Sequence, residues 1–202
     1  MPEKKQYEHV ADTHGVQRHD HFSRFESGDV VAVEEALSWL DAHDTVFARE
    51  TRTYNLEQIE GGTRWHISTR IEPTGDGLTL GASRAARYSG LELRMGPPFA
   101  DAFHYDSEGR QQHEQIMGQR ARWVAARGAM GGCVAMMDHP NNPRHPVTWF
   151  ARKNLLGAGL LMEGDLEIAH GHALDLSYAF FVFEADPGAA HWERHYEAFS
   201  TP

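Results

Sequence analysis

The chain has 202 residues, of which 41% are hydrophobic and 24% are charged, a composition typical of a folded globular protein rather than a disordered or collagen-like one. Nineteen basic against twenty-nine acidic side chains give a formal net charge of −10, which disfavours nucleic acid as a partner. The single cysteine excludes an intrachain disulfide, and with it a secreted disulfide scaffold.

The N-terminal part of the chain is polar and rich in histidine. Residues 1–28 show little periodicity, so we interpret them as an arm or loop that leads into a single β-sandwich domain over residues 29–202. The first residues contain no apolar stretch of the kind found in a signal peptide, and no window approaches the roughly 18 apolar residues of a membrane span. We therefore expect a soluble, cytoplasmic protein without a membrane partner.

Alternation of apolar and polar residues recurs along most of the remaining chain. Residues 30–40 fit either a helix or a long strand, whereas residues 45–54 favour a strand because they alternate and are rich in β-branched side chains. The turn-forming residues 73–77 predict a hairpin between the strands at 64–71 and 78–80. Further strands are predicted at 91–95, 121–125, 133–137 and 174–183. Strands that recur without long helical patterns between them favour a mainly β fold, an antiparallel β-sandwich or supersandwich.

One short helix is predicted near the C-terminus. Asp186 can cap it and Pro187 suits its first turn. Spacings of three and four place four large side chains on one face, where they would pack on a sheet: Trp192, His195, Tyr196 and Phe199.

Residues 138–146 are the most informative segment of the sequence. Three prolines fix the backbone directly after an apolar strand, which predicts a stiff loop that holds its polar side chains in place. The candidate catalytic residues are His139 and His145, which can move a proton, together with Asp138. The alternative is an elaborate turn in which Asp138 and the asparagines bond their own backbone. The candidate substrate-binding residues are Arg144, Asn141, Asn142, Trp149, Arg94 and Trp123.

The histidines also suggest a metal site. His19 and His21 are two residues apart, a spacing that in a strand points both imidazoles to one face, where they could bind a divalent metal such as zinc or iron. Surface histidines in a polar loop give the same pattern without a metal, so both interpretations stay open.

The segment from Gly132 to Pro146, followed by Trp149, resembles a bacterial family often labelled methane oxygenase PmoA-like. The resemblance extends over about residues 30–183 and is strongest after Gly118. It implies a β-supersandwich similar to galactose mutarotases and other sugar-processing domains. Two places depart from the family pattern, at Phe150 and at residues 88–90.

Three functions are compatible with these observations. The first is an isomerase or lyase that acts by proton transfer on a sugar or another polyhydroxylated small molecule at the loop of residues 138–146. The second is an enzyme that depends on zinc or iron and draws ligands from the histidines. The third is a non-catalytic module for small-molecule binding or assembly, in which a sheet edge or the C-terminal helix could form a homodimer.

Overall fold

The computed structural model describes residues 15–82 and 90–201. It confirms the predicted mainly β fold with a short C-terminal helix. Two α-helices, α1 (His113–Ile116) and α2 (Ala189–Ser200), and a short 3-10 helix (Pro97–Phe99) lie within the described residues. The strands of this part of the chain are β1 (Val16–Glu26), β2 (Val30–Leu40), β3 (Val46–Ile59), β4 (Gly62–Pro73), β5 (Gly77–Leu80), β6 (Leu91–Arg94), β7 (Phe103–Asp106), β8 (Trp123–Gly128), β9 (Gly131–Asp138), β10 (Trp149–Arg152), β11 (Leu155–Ala158), β12 (Leu166–Ala169) and β13 (Leu174–Phe183).

A large antiparallel sheet forms the centre of the fold. Its eight strands follow the order β1-β2-β3-β4-β13-β9-β8-β7. A three-stranded sheet, β10-β11-β6, and a two-stranded sheet, β12-β5, pack against one face, while α2 packs against the other. We call these two faces the small-sheet face and the helix face.

The alternation of side chains along the central strands explains why both faces are covered. Successive residues of a strand point to opposite sides of the sheet. Met136 of β9 and Phe180 of β13 therefore join the core beneath the small sheets, whereas Met137 and Phe181 pack against Trp192 of α2. Strands that are apolar at nearly every position, such as β9, are buried on both sides for this reason.

Some local predictions were wrong because sequence pattern does not determine which strands pair. Residues 16–26, interpreted as loop, form β1, an exposed edge strand paired with β2. The segment at 30–40, which fitted either a helix or a long strand, is a strand. The predicted hairpin is also wrong, because β5 pairs with β12 and not with β4.

The C-terminal helix begins slightly later than its sequence signals suggested. Gly188, at φ +84°, precedes its first turn, and Asp186 accepts hydrogen bonds from the Gly188 N–H and the Tyr105 hydroxyl instead of capping the helix. Trp192 and Tyr196 are buried against the sheet, as their spacing predicted. No helix in the described residues is long and apolar enough to cross a membrane.

A buried histidine predicts acid sensitivity of the fold. His104 has no exposed surface, its Nδ1–H donates to the Ala102 carbonyl at 2.9 Å, and burial lowers its pKa from 6.5 to about 4. The unfolded chain, in which the pKa of His104 is 6.5, binds a proton at this histidine more readily than the folded protein does. The contribution of His104 to stability is therefore present above pH 6.5 and is lost as the pH falls towards 4. We expect His104 to remove about 2 kcal/mol of unfolding free energy between pH 7.5 and 5.

Urea unfolding at these two pH values measures the effect. The His104→Asn variant, which does not titrate, should lose less stability than the wild type over this interval by about 2 kcal/mol. Equal losses in the two proteins would show that His104 is not the acid-sensitive group.

Candidate functional site

The loop of residues 138–146 is organised around the buried carboxylate of Asp138, the last residue of β9. One carboxylate oxygen accepts a hydrogen bond from Asn142 Nδ2 at 2.8 Å. The other accepts from His145 Nδ1 at 2.8 Å and from the Val147 N–H at 2.9 Å. Burial raises the pKa of Asp138, and these three donors oppose that rise. Asp138 therefore fixes the loop from inside the protein.

His145 connects this loop to the helix on the helix face. Its Nδ1 pairs with Asp138, and its Nε2 lies 3.1 Å from the hydroxyl of Tyr196, a buried residue of α2. The guanidinium of Arg122 lies over the Tyr196 ring, 5.2 Å from the ring centre. The contacts from Asp138 to His145 and from His145 to Tyr196 thus connect the end of β9 to helix α2.

Asn142 holds the backbone of Ser177, a residue of β13. Its Oδ1 accepts from the Ser177 N–H at 2.7 Å, and its Nδ2 donates to the Ser177 carbonyl at 2.7 Å. The His139 N–H also donates to that carbonyl, at 3.3 Å. The loop therefore fixes the backbone of Ser177, which lies outside it.

Ser177 presents its hydroxyl to a histidine of the neighbouring strand β4. Its Oγ lies 2.7 Å from His66 Nε2, so a neutral imidazole with an unprotonated Nε2 accepts the hydroxyl proton in this bond. Burial lowers the pKa of His66, and the nearby His139 and Arg64 lower it further. His66 is therefore neutral at pH 7 and able to take up a proton.

An open polar groove lies beside this pair, on the helix face where α2 does not cover the sheet. Its volume is about 460 Å³. Arg70 crosses one wall, where its Nη1 donates to both carboxylate oxygens of Asp175 at 2.8 and 3.0 Å. Hydroxyl and amide groups supply most of the remaining polar lining. The groove is lined by Thr51, Thr53, Ser68, Thr69, Arg70, His139, Asn141, Asn142, Asp175, Leu176 and Ser177.

His139 forms part of the groove wall near His66. The Asn141 N–H donates to His139 Nδ1 at 3.1 Å, which leaves the other ring nitrogen to carry the proton of the neutral form. Burial and then the charge of His145 lower the pKa of His139. The Phe199 ring stands edge-on to both imidazoles, with ring centres 4.9 Å from His139 and 5.5 Å from His66. Two neutral histidines thus meet at one end of the groove.

Several predicted substrate-binding residues are placed away from the groove. Arg144 donates to the carbonyls of Leu160, Gly164 and Asp165 and so ties the loop to the segment before β12. The remaining three lie in other parts of the fold. Trp149, the first residue of β10, is buried between the three-stranded sheet and the large sheet. Trp123 is buried under α2, and Arg94 ends β6 in the three-stranded sheet.

The predicted pair of metal ligands is divided by a register shift in β1. His19 lies opposite Leu37 and His21 lies opposite Ala36, and because these two residues are consecutive in β2, the histidines point to opposite faces. His19 Nδ1 instead contacts Glu35 at 2.8 Å. Within residues 15–82 and 90–201, no three His, Cys, Asp or Glu side chains could together hold a metal ion. Two further histidines of the N-terminal part, His9 and His14, lie outside these ranges. Residues 88 and 89, where the sequence departs from the PmoA-like pattern, also lie outside them.

Sequence reasoning missed His66, Ser68, Arg70, Asp175 and Ser177. Alternation in β4 does place the first three on one side of a strand. The missing information was the strand pairing, since Ser68 lies opposite Ser177 and Arg70 opposite Asp175, more than 100 residues further along the chain.

Comparison with known proteins corrects the family expected from the sequence. No curated protein matches the chain. A similar solved structure is the Slr1438 protein from Synechocystis sp. PCC 6803, with 10% identity, a TM-score of 0.42 and coverage of 81% of this chain. This chain spans 65% of that protein.

The family model that matches the sequence extends over residues 3–197, nearly the whole chain, and it is not a PmoA-like family. The PmoA-like family expected from the sequence, and the mutarotase relation taken from it, are therefore wrong. The chain belongs to DUF6807, a family of unknown function.

Proposed function

We propose that this protein is an isomerase or lyase that transfers protons on a sugar or a similarly polyhydroxylated small molecule bound in the polar groove. The observation that carries the proposal is the 2.7 Å contact between Ser177 Oγ and His66 Nε2 at the edge of a groove that also contains His139. Groups that move protons near neutral pH are what this chemistry requires.

The lining of the groove favours a ligand with many hydroxyls. Thr51, Thr53 and Ser68 can each donate and accept a hydrogen bond, and Asn141 offers both a donor and an acceptor. Such side chains match sugar hydroxyls, which are themselves donors and acceptors. The Arg70–Asp175 pair adds a charged donor and a charged acceptor to the same wall.

The proposed reaction uses the two histidines in different roles. The Ser177 hydroxyl contacts the substrate and passes to His66 a proton taken from the carbon next to a carbonyl group. His139 donates a hydrogen bond from its ring N–H to the carbonyl oxygen, and Arg70 helps to stabilise the negative charge of the enolate that forms there. An isomer forms when the hydroxyl proton on the deprotonated carbon moves to the former carbonyl oxygen and the proton held by His66 returns to the former carbonyl carbon. An elimination product forms when the carbon on the other side of the deprotonated carbon loses its hydroxyl group, which leaves as water with the proton held by His66.

A non-catalytic binding module is the second candidate, and a specific observation favours it. The polar groups of Asp138, Asn142 and Arg144 already make hydrogen bonds within the protein, so the loop contributes few groups that could react. This candidate predicts that sugars bind in the groove and leave it unchanged.

Deuterium exchange tests the proposal without knowledge of the product. The protein is incubated in D2O with glucose, fructose, glucuronate and galacturonate in turn, and proton NMR follows the hydrogen next to the carbonyl. We expect at least one sugar to lose this signal faster than in the protein-free sample. Exchange at the protein-free rate for every sugar would refute the enzymatic proposal.

A further inference from the structure

A second cavity lies on the small-sheet face of the large sheet, opposite the polar groove. Alternation in β4 explains the separation, because Ile67, Thr69 and Ile71 point to this face while His66 and Arg70 point to the other. The cavity has a volume of about 460 Å³, and its walls are mainly aliphatic and aromatic. Leu80, Leu91, Leu160, Leu161, Leu176 and Tyr178 form much of this apolar surface.

One wall of the apolar cavity carries a buried carboxylate. Glu50 is 3% exposed, and its Oε2 accepts a hydrogen bond from Trp39 Nε1 at 2.8 Å. Its Oε1 accepts from Thr69 Oγ1 at 2.5 Å and from Arg52 Nε at 2.8 Å. Glu50 is therefore satisfied by the protein and serves to hold the guanidinium of Arg52 in place.

Arg52 keeps donors that these contacts do not use. A guanidinium has five N–H donors. Nε and Nη2 face Glu50, at 2.8 and 2.7 Å, and Nη1 contacts the Tyr54 hydroxyl at 3.3 Å. The two further hydrogens, one on each terminal nitrogen, have no acceptor identified within residues 15–82 and 90–201. The Arg52 side chain is 26% exposed and lines the cavity.

We propose that this apolar cavity binds a small monocarboxylate with an apolar body. The carboxylate would accept the two free hydrogens of Arg52 in a bidentate contact, the geometry in which a guanidinium binds carboxylates most strongly. The aliphatic walls would bury the ring or chain attached to it. This site lies on the opposite face from the groove, so it does not depend on the proposed function.

Calorimetric titration with 4-phenylbutyrate tests the proposal, with the uncharged 4-phenylbutanamide as the matched ligand. We expect the wild type to bind the carboxylate at least about tenfold more tightly than the amide. The Arg52→Gln variant should lose this preference. The Arg52→Lys variant keeps the positive charge but lacks the two parallel N–H donors of a guanidinium. Its preference for the carboxylate over the amide should therefore lie between those of the wild type and of Arg52→Gln.

The Arg70→Gln variant is the matched control, because Arg70 also pairs with a carboxylate but lies in the polar groove. It should bind 4-phenylbutyrate like the wild type. Circular dichroism of each variant verifies folding, and Arg52→Lys decides the question if Arg52→Gln does not fold. The proposal is overturned if the wild type does not bind 4-phenylbutyrate, if it binds the amide equally well, or if the Arg52 variants keep the wild-type preference.

Discussion

Replacement of Asp138 by alanine is expected to lower the free energy of unfolding by about 3–5 kcal/mol, because it removes a buried carboxylate and leaves its hydrogen-bond donors unpaired. The carboxylate accepts hydrogen bonds from Asn142, His145 and the Val147 N–H. Alanine would leave all three donors without their acceptor in a buried environment. Urea unfolding followed by tryptophan fluorescence measures the loss.

The Asp175→Ala variant provides the contrast. Asp175 pairs with Arg70, but the Asp175 side chain is 66% exposed, and exposed ion pairs contribute at most about 1 kcal/mol. Asp138→Asn should be less destabilising than Asp138→Ala, because an amide oxygen can still accept from one or two of the donors. Equal, small losses for the alanine variants of Asp138 and Asp175 would show that the loop is not organised around Asp138.

Replacement of His66 by glutamine is expected to reduce the rate of sugar deuterium exchange by about 10²–10⁴-fold, the usual contribution of a positioned acid or base. Glutamine keeps a hydrogen bond to Ser177 but cannot carry the proton. Because the pKa of His66 lies below 6.5, the wild-type rate should change little above pH 6.5 and fall as the solution becomes more acidic. Initial rates from proton NMR across this pH range measure both effects.

The matched control is His170→Gln. His170 is an exposed histidine that contacts the Gly75 carbonyl and is not part of the groove lining. Its replacement should leave the exchange rate unchanged. Ser177→Ala should reduce the rate, as His66→Gln does, because the proposed transfer passes through its hydroxyl. A wild-type rate in both the His66 and the Ser177 variants would remove this pair from the mechanism.

The sequence predicted those features that depend on local pattern. Period-two alternation identified most strands of the large sheet, and the spacing of Trp192 and Tyr196 identified the buried face of α2. The three prolines marked the position of a polar loop, which the structure places directly after β9. What pattern could not supply was strand pairing, as β5 shows by pairing with β12 instead of the nearer β4.

The same limit explains the partial prediction of the candidate site. His139 and Asn141 do line the groove, but the sequence could not show that Asn142 would hold Ser177, 35 residues away. Nor could it show that a bulge would turn His19 and His21 to opposite faces. Arg144 resembled a ligand-binding side chain because residue type alone does not distinguish a ligand oxygen from the backbone carbonyls that it contacts.

The most direct test of the central claim is to map where a sugar binds, using the imidazole ¹⁵N resonances of the histidines. Glucose, fructose, glucuronate and galacturonate are titrated into ¹⁵N-histidine-labelled protein. We predict that at least one of them shifts the resonances of His66 and His139 while those of His170 stay in place. His19 lies on the small-sheet face with the apolar cavity, so it should not respond either. Unchanged His66 and His139 resonances with every sugar, or a response of His19 in their place, would contradict the assignment of the polar groove as the functional site.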